Sequence, residues 1–215
     1  MVQTPTIYLI DDDDGVRDAL AWLLRTRRLL SEPYASGDEF WKLVQNWASE
    51  GPSEPCCVLL DLRMPGMSGL ELFALLREKP WFECMPVIFL SGHADVPVAV
   101  DAVRRGAFDF CEKPFSNNTL ITRLEQALEK STEALTRRQQ LREVQDRIAG
   151  LTERERDVMN LMTQGLPNKL IADQLQISIR TVEVHRARVI DKLNAKSTVE
   201  MVHLLHSAGM FPPNK

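Results

Sequence analysis

The chain has 215 residues, 44% of them apolar and 26% charged, with a formal net charge of −4; that length suits two domains. Its 4 Cys lack metal-ligand spacing and lie mostly in or beside apolar runs, so buried reduced thiols are expected rather than a secreted disulfide framework. The opening Met1-Val2-Gln3-Thr4-Pro5 has no basic or apolar leader pattern, and no stretch approaches bilayer-spanning length, which points to a cytoplasmic protein without membrane contact.

Along the chain, the apolar run Ile7 to Ile10 leads into Asp11, Asp12, Asp13 and Asp14, and helical periodicity follows at Val16, Ala19, Leu20, Leu23 and Leu24. A weaker strand is expected near 30–34 and a helix near 37–48. The run Val58, Leu59, Leu60 ends in Asp61, ahead of Arg63-Met64-Pro65-Gly66 and a helix near 68–78. Val87 to Leu90 leads into Ser91 and Gly92, and Val96, Val100 and Val103 mark a helix near 96–105. Ala107 to Cys111 ends in Glu112-Lys113-Pro114. Alternating strand and helix predicts an α/β doubly wound parallel sheet of five strands, near 7–10, 30–34, 57–60, 87–90 and 107–111.

From Asn118 to about Gly150 the chain lacks Pro and Gly and predicts one long helix, spanning roughly 45 Å at its usual rise. Its apolar spacing drifts from a strict heptad, which favours a solvated connecting helix over a durable coiled coil; transient pairing of two chains is the alternative. The expected organisation is a first domain over 1–125, a helical linker over 126–150 and a second domain over 151–215. Residues 1–125 carry 12 Lys and Arg against 19 Asp and Glu, whereas 151–215 carry 9 against 7, so the acidity belongs to the first domain.

Past Gly150, Thr152 with Glu155 forms a capping-box pattern ahead of Val158, Leu161 and Met162. Helices are expected over 153–164, 168–175, 179–193 and 197–207, all-α, with the short link Gln176-Ile177-Ser178 giving a helix-turn-helix outline. Phe211 to Lys215 reads as a frayed tail.

If the first four polar exits lie on parallel strands, they gather Asp side chains, Ser91 and Lys113 at the edge where open α/β sheets bind ligands. Carboxylates brought together raise one another's pKa unless a cation joins them, and a hard divalent ion such as Mg2+ suits oxygen donors. A carboxylate also attacks phosphorus to form an aspartyl phosphate, with Ser91 and Lys113 as donors to the phosphoryl oxygens. Asp11 to Asp14 taken alone read as a solvated acidic turn; their combination with Asp61, Ser91 and Lys113 favours the phosphoryl-acceptor reading. His93 reads as an exposed loop residue.

Residues 5–125 resemble the receiver domain of bacterial two-component response regulators, through Asp11-Asp12, Asp61 with Met64-Pro65-Gly66, Ser91-Gly92 and Lys113-Pro114-Phe115. The resemblance implies that Asp61 accepts the phosphoryl group and that Asp12 and Asp61 ligate Mg2+ directly. It also implies that Asp11 acts mainly through water, that the Arg63 carbonyl completes the ligands, and that Lys113-Pro114 is cis. It further implies a switch in which Ser91 moves toward the phosphate and Phe110 swings inward. Phe in place of Tyr leaves that coupling to packing alone.

On a wheel of 179–193, Val182, Val189 and Leu193 share an inward face bordered by Ile190, opposite Arg180, Glu183, Val184, Ala187 and Arg188. In a DNA major groove, Val184 and Ala187 suit thymine methyls, Glu183 a cytosine amino group, and Arg188 guanine or phosphate. Asn168, Lys169, Thr181 and Lys192 suit phosphate contacts. Leu151 to Glu155, Asn168-Lys169 with Ile171-Ala172, and Thr181 to His185 with Lys192-Leu193 resemble the LuxR-type DNA-binding domain. Taken together, nearly the whole chain is similar to response regulators of the FixJ/NarL kind, and in detail to regulators of aromatic-hydrocarbon catabolism.

The resemblance implies a transcription factor, not an enzyme. Its implied partners are a sensor histidine kinase, double-stranded promoter DNA, RNA polymerase and, on phosphorylation, a second copy meeting through the 96–110 face. An Asp-nucleophile phosphohydrolase usually carries a second acid two residues after the nucleophile, where Arg63 stands here. A regulator that binds DNA without phosphorylation would share this sequence.

Overall fold

The computed structural model describes residues 4–47, 49–92 and 96–209, and for Ser91, Val96, Pro97 and Ala99 the main chain alone. The chain divides into two compact units between Thr136 and Arg137.

The first unit alternates strand and helix: β1 (Thr6–Ile10), α1 (Asp14–Thr26), β2 (Leu30–Tyr34), α2 (Gly37–Gln45), β3 (Cys56–Asp61), α3 (Gly69–Arg77), β4 (Val87–Ser91), α4 (Val96–Arg104), β5 (Asp109–Glu112) and α5 (Asn117–Ala149). The sheet is parallel throughout, in the order β2-β1-β3-β4-β5. β3 is apolar without alternation because it is buried on both faces, as an inner parallel strand must be. β2 reads weakly in sequence because it is an edge strand, half exposed, and Pro33 is tolerated there. The strand expected at 107–111 begins two residues later, at Asp109. Sequence periodicity gave no sign of the short 3-10 helix Phe82–Cys84 or of Trp81, which is 1% exposed.

Two apolar layers flank the sheet. One contains Ile10, Phe40, Leu60, Leu72, Trp81 and Phe89; the other contains Leu9, Leu24, Leu59, Leu90, Leu120 and Leu124. α3 begins at a capping box between Ser68 and Glu71.

α5 takes part in the packing of the first unit beyond residue 125, through Ala127, Leu128, Ser131 and Ala134, all buried. The Ser131 hydroxyl donates to the Cys84 carbonyl at 2.6 Å and accepts the Cys56 N–H at 3.0 Å. At its other end Val144 and Ile148 belong to the core of the second unit. The expected solvated linker over 126–150 is therefore packed at both ends. Small residues and a hydroxyl carry the first of these contacts, so the stripe hides in a sequence that reads as polar.

The second unit adds α6 (Glu153–Thr163), α7 (Asn168–Leu175), α8 (Ile179–Lys192) and α9 (Thr198–Ser207). The capping box of Thr152 and Glu155 opens α6 as the sequence indicates. Gln176, in the left-handed region at φ 53°, ends α7, and Ser178 caps α8, which makes the turn between them tight. Val158, Met162, Ile171, Val182, Val189, Leu193, Met201 and Leu205 form the core. The tail from Met210 lies outside the described residues.

Candidate functional site

Parallel register brings the strand exits to one edge: Ile10 lies beside Leu60, Asp61 beside Leu90, and Ser91 beside Glu112. Asp11, Asp61 and Lys113 meet there. Lys113 Nζ lies 2.8 Å from Asp11 Oδ2 and 2.6 Å from Asp61 Oδ1. The other oxygens of these two carboxylates are held by the main chain, Asp11 Oδ1 accepting from the Asp13 N–H at 3.0 Å and Asp61 Oδ2 from the Arg63 N–H at 2.7 Å. Lys113-Pro114 is cis. Gly69 lets α3 start against the end of β3, since a Cβ there would collide with the Asp61 carbonyl oxygen.

Burial pushes the Asp61 carboxyl above the usual carboxylate range; the hydrogen bond and charge of Lys113 oppose this only in part, and Asp11 adds repulsion. For Lys113 burial works downward, but the hydrogen bonds and charges of Asp11 and Asp61 outweigh it and hold the ammonium above its ordinary range. Asp11 and Asp61 thus present two carboxylates to the one Lys113 ammonium.

The four consecutive aspartates separate into different jobs. Asp12 is exposed. Asp13 caps α1, its Oδ1 accepting from the Gly15 and Val16 N–H groups at 2.8 and 3.2 Å. Asp14 pairs with Arg17, whose guanidinium also donates to the Asp11 carbonyl. Sequence reasoning missed Arg17, although its three-residue spacing from Asp14 on a helix was a usable signal.

Among the described residues no three His, Cys, Asp or Glu side chains converge closely enough to hold an ion as they stand. The donor set still fits a hard cation. Asp11 and Asp61 supply oxygens, Asp12 adds a carboxylate at the same strand exit, and the raised Asp61 carboxyl asks for positive charge. Arg63 is exposed. Phe110 is half-buried, pairs in register with Phe89 and packs on the layer of Phe89 and Ala102. The Ser91 side chain and His93 lie outside the described residues.

On α8, Val182 and Val189 are fully buried, while Arg180, Glu183, Val184, Ala187 and Arg188 are exposed, Val184 to 44%. Lys169 is exposed and Asn168 half-buried at the start of α7. Thr181 is half-buried, its hydroxyl 2.8 Å from that of Ser178. Lys192 is exposed and has a partner within the fold. Its Nζ lies 2.7 Å from Glu155 Oε2, a carboxylate only 2% exposed, and donates to the Gly150 carbonyl at 3.2 Å. The capping-box signature gave Glu155 a local role and no hint of a partner across the fold.

No described helix is long and apolar enough to cross a membrane. Residues 7–125 match the response regulator receiver domain, and residues 149–205 match the bacterial regulatory proteins of the luxR family. The chain is 41% identical to the transcriptional regulatory protein FixJ of Azorhizobium caulinodans, over 99% of this chain and 97% of that protein. It is 40% identical to the C4-dicarboxylate transport transcriptional regulatory protein DctR of Rhodobacter capsulatus, over 93% and 98%. The solved structure of the response regulator StyR superposes with a TM-score of 0.78 at 34% identity, covering 94% of this chain and 98% of that one. Two matched domains in one order, and relatives matched over nearly their whole length, place the chain among the response regulators that join a receiver domain to a LuxR-type DNA-binding domain.

Proposed function

We propose that Asp61 accepts a phosphoryl group from a sensor histidine kinase and that the modification switches dimerisation and promoter binding. The observation that supports it is Lys113 joining Asp11 and Asp61 at the sheet edge of a chain that also carries a DNA-reading unit. In the transfer, a carboxylate oxygen of Asp61 forms the new P–O bond as the P–N bond to the kinase histidine breaks, giving an acyl phosphate. Lys113 is placed beside the attacked carboxylate, where it stabilises charge on the incoming oxygens. The Ser91 hydroxyl would be a second donor.

Receiver domains bind Mg2+ at the phosphorylation site. In this chain Asp11, Asp12, Asp61 and the Arg63 carbonyl would hold it. When bound, the ion supplies charge neutralisation for the phosphoryl oxygens.

At the output end, α8 would enter the major groove with Arg180, Glu183, Val184, Ala187 and Arg188 toward base edges, while Asn168, Lys169 and Thr181 set register on phosphates. Inward movement of Phe110 would reshape the 96–110 face, through which two copies meet and place two α8 helices on an inverted repeat. Bound in that way, the dimer would act on transcription through RNA polymerase. A relative named for C4-dicarboxylate transport matches about as well as FixJ, so control of aromatic-catabolic genes would rest on what α8 reads.

The test is the solution molar mass of wild type and Asp61→Asn, each with and without Mg2+ and beryllofluoride as a phosphoryl mimic. A monomer-to-dimer shift in wild type alone is expected. If neither protein shifts, dimerisation is not the output; if both shift, Asp61 is not the switch.

A further inference from the structure

Phe110 sits within a closed polar ring. Its N–H donates to Asp109 Oδ1 at 2.8 Å, its carbonyl accepts from the Arg123 guanidinium, and Arg123 Nε lies 3.2 Å from Asp109 Oδ2. The same guanidinium approaches Cys111 Sγ at 3.5 Å. One side chain of α5 thus grips three successive residues of β5. The Asp109 and Arg123 side chains are about one-third exposed, at 33% and 32%, and an ion pair so placed adds little stability. Its geometry is better matched to position than to stability. The planar fork of Arg reaches a carbonyl and a carboxylate together, which an ammonium does not. One residue further on, Leu124 is fully buried, followed by Ala127 and Leu128, so α5 is seated directly behind the grip.

We propose that Arg123 is the positioning residue that carries movement of the switch strand into α5. The proposal rests on the reading that modification of Asp61 reaches Phe110. Both main-chain polar groups of Phe110 are held, so a shift of its peptide cannot occur without moving the Arg123 guanidinium or breaking its bonds. Arg123 makes none of the contacts of Asp61, so its loss should separate transmission from phosphoryl uptake.

The experiment is hydrogen exchange on the full chain with and without Mg2+ and beryllofluoride, for wild type, Asp61→Asn, Arg123→Met and Arg123→Lys. In wild type the mimic should alter exchange in β5 and in α5. In Arg123→Met the β5 response should persist while the α5 response shrinks about threefold or more. An α5 response in Arg123→Met equal to wild type overturns the proposal. Should Arg123→Met lose protection across the sheet before the mimic is added, Arg123→Lys decides by the same α5 criterion, since it keeps the stem and the charge while an ammonium does not reach the Phe110 carbonyl and the Asp109 carboxylate together. Absence of any response in wild type, or an undiminished one in Asp61→Asn, removes the phosphoryl-switch reading itself and the proposal with it. That failure is distinguishable because it does not depend on Arg123.

Discussion

Lys113 Nζ stands 2.6 Å from Asp61 Oδ1 and only slightly farther, at 2.8 Å, from Asp11 Oδ2. One ammonium therefore serves two partly buried carboxylates. Lys113→Met should slow phosphoryl uptake from a small donor such as acetyl phosphate by about 100–1,000-fold, read by intact-mass spectrometry. Attack requires ionised Asp61, whose carboxyl is raised by burial.

Ser131 spends its hydroxyl on two buried main-chain groups, the Cys84 carbonyl and the Cys56 N–H. Ser131→Ala should destabilise the first unit by about 1–3 kcal/mol, since both groups lose a partner out of reach of water. Thr132→Ala, at an exposed neighbour bonded only to its own helix at Leu128, should stay within about 0.5 kcal/mol. Thermal melts of the two variants separate a tertiary lock from a generic helix effect.

The ion pair of Glu155 and Lys192 predicts acid sensitivity in the second unit. The hydrogen bond to Lys192, joined by the Thr152 main chain, lowers the Glu155 carboxyl to about 2. A carboxyl depressed by folding contributes stability above its unfolded pKa of about 4.3 and loses it as pH falls from there toward the folded value. Hydrogen exchange of α6 to α9 in the full chain should show that loss between about pH 4.5 and 2. Lys192→Met should flatten it and destabilise by about 1–2 kcal/mol, moderated by solvent on the lysine. The same variant should leave the salt dependence of DNA binding unchanged.

DNA contacts divide by their response to sequence and salt. Arg188→Ala should weaken binding by about 1–3 kcal/mol and relax preference at one base position if Arg188 reads guanine. Lys169→Ala should weaken binding to all sequences alike and reduce the salt slope by about 1. Anisotropy titrations on specific and scrambled duplexes at several salt concentrations check both. Equal loss on all duplexes for Arg188→Ala would make it a phosphate contact.

All strands but β2 were legible because each apolar run stops at a polar residue, and Asp61 and Lys113 could be placed from those stops alone. The inward face of α8 was legible for the same reason, its period being set by Val182, Val189 and Leu193. Polar side chains with distant partners were not. Glu155, Ser131 and Arg123 follow local patterns that a helix surface would also show, and their roles depend on Lys192, Cys84 and Phe110, which lie on other elements. Trp81 escaped because a single large side chain carries no period.

The burial of α5 through Ala134, and again from Val144, has a consequence for how such chains are recombined. A receiver excised at its nominal end near residue 125 would leave Leu128 and Ser131 behind and open the seam they close. Exchange of output modules is confined to the stretch between Ala134 and Val144, the one interval of α5 where a splice cuts through neither core.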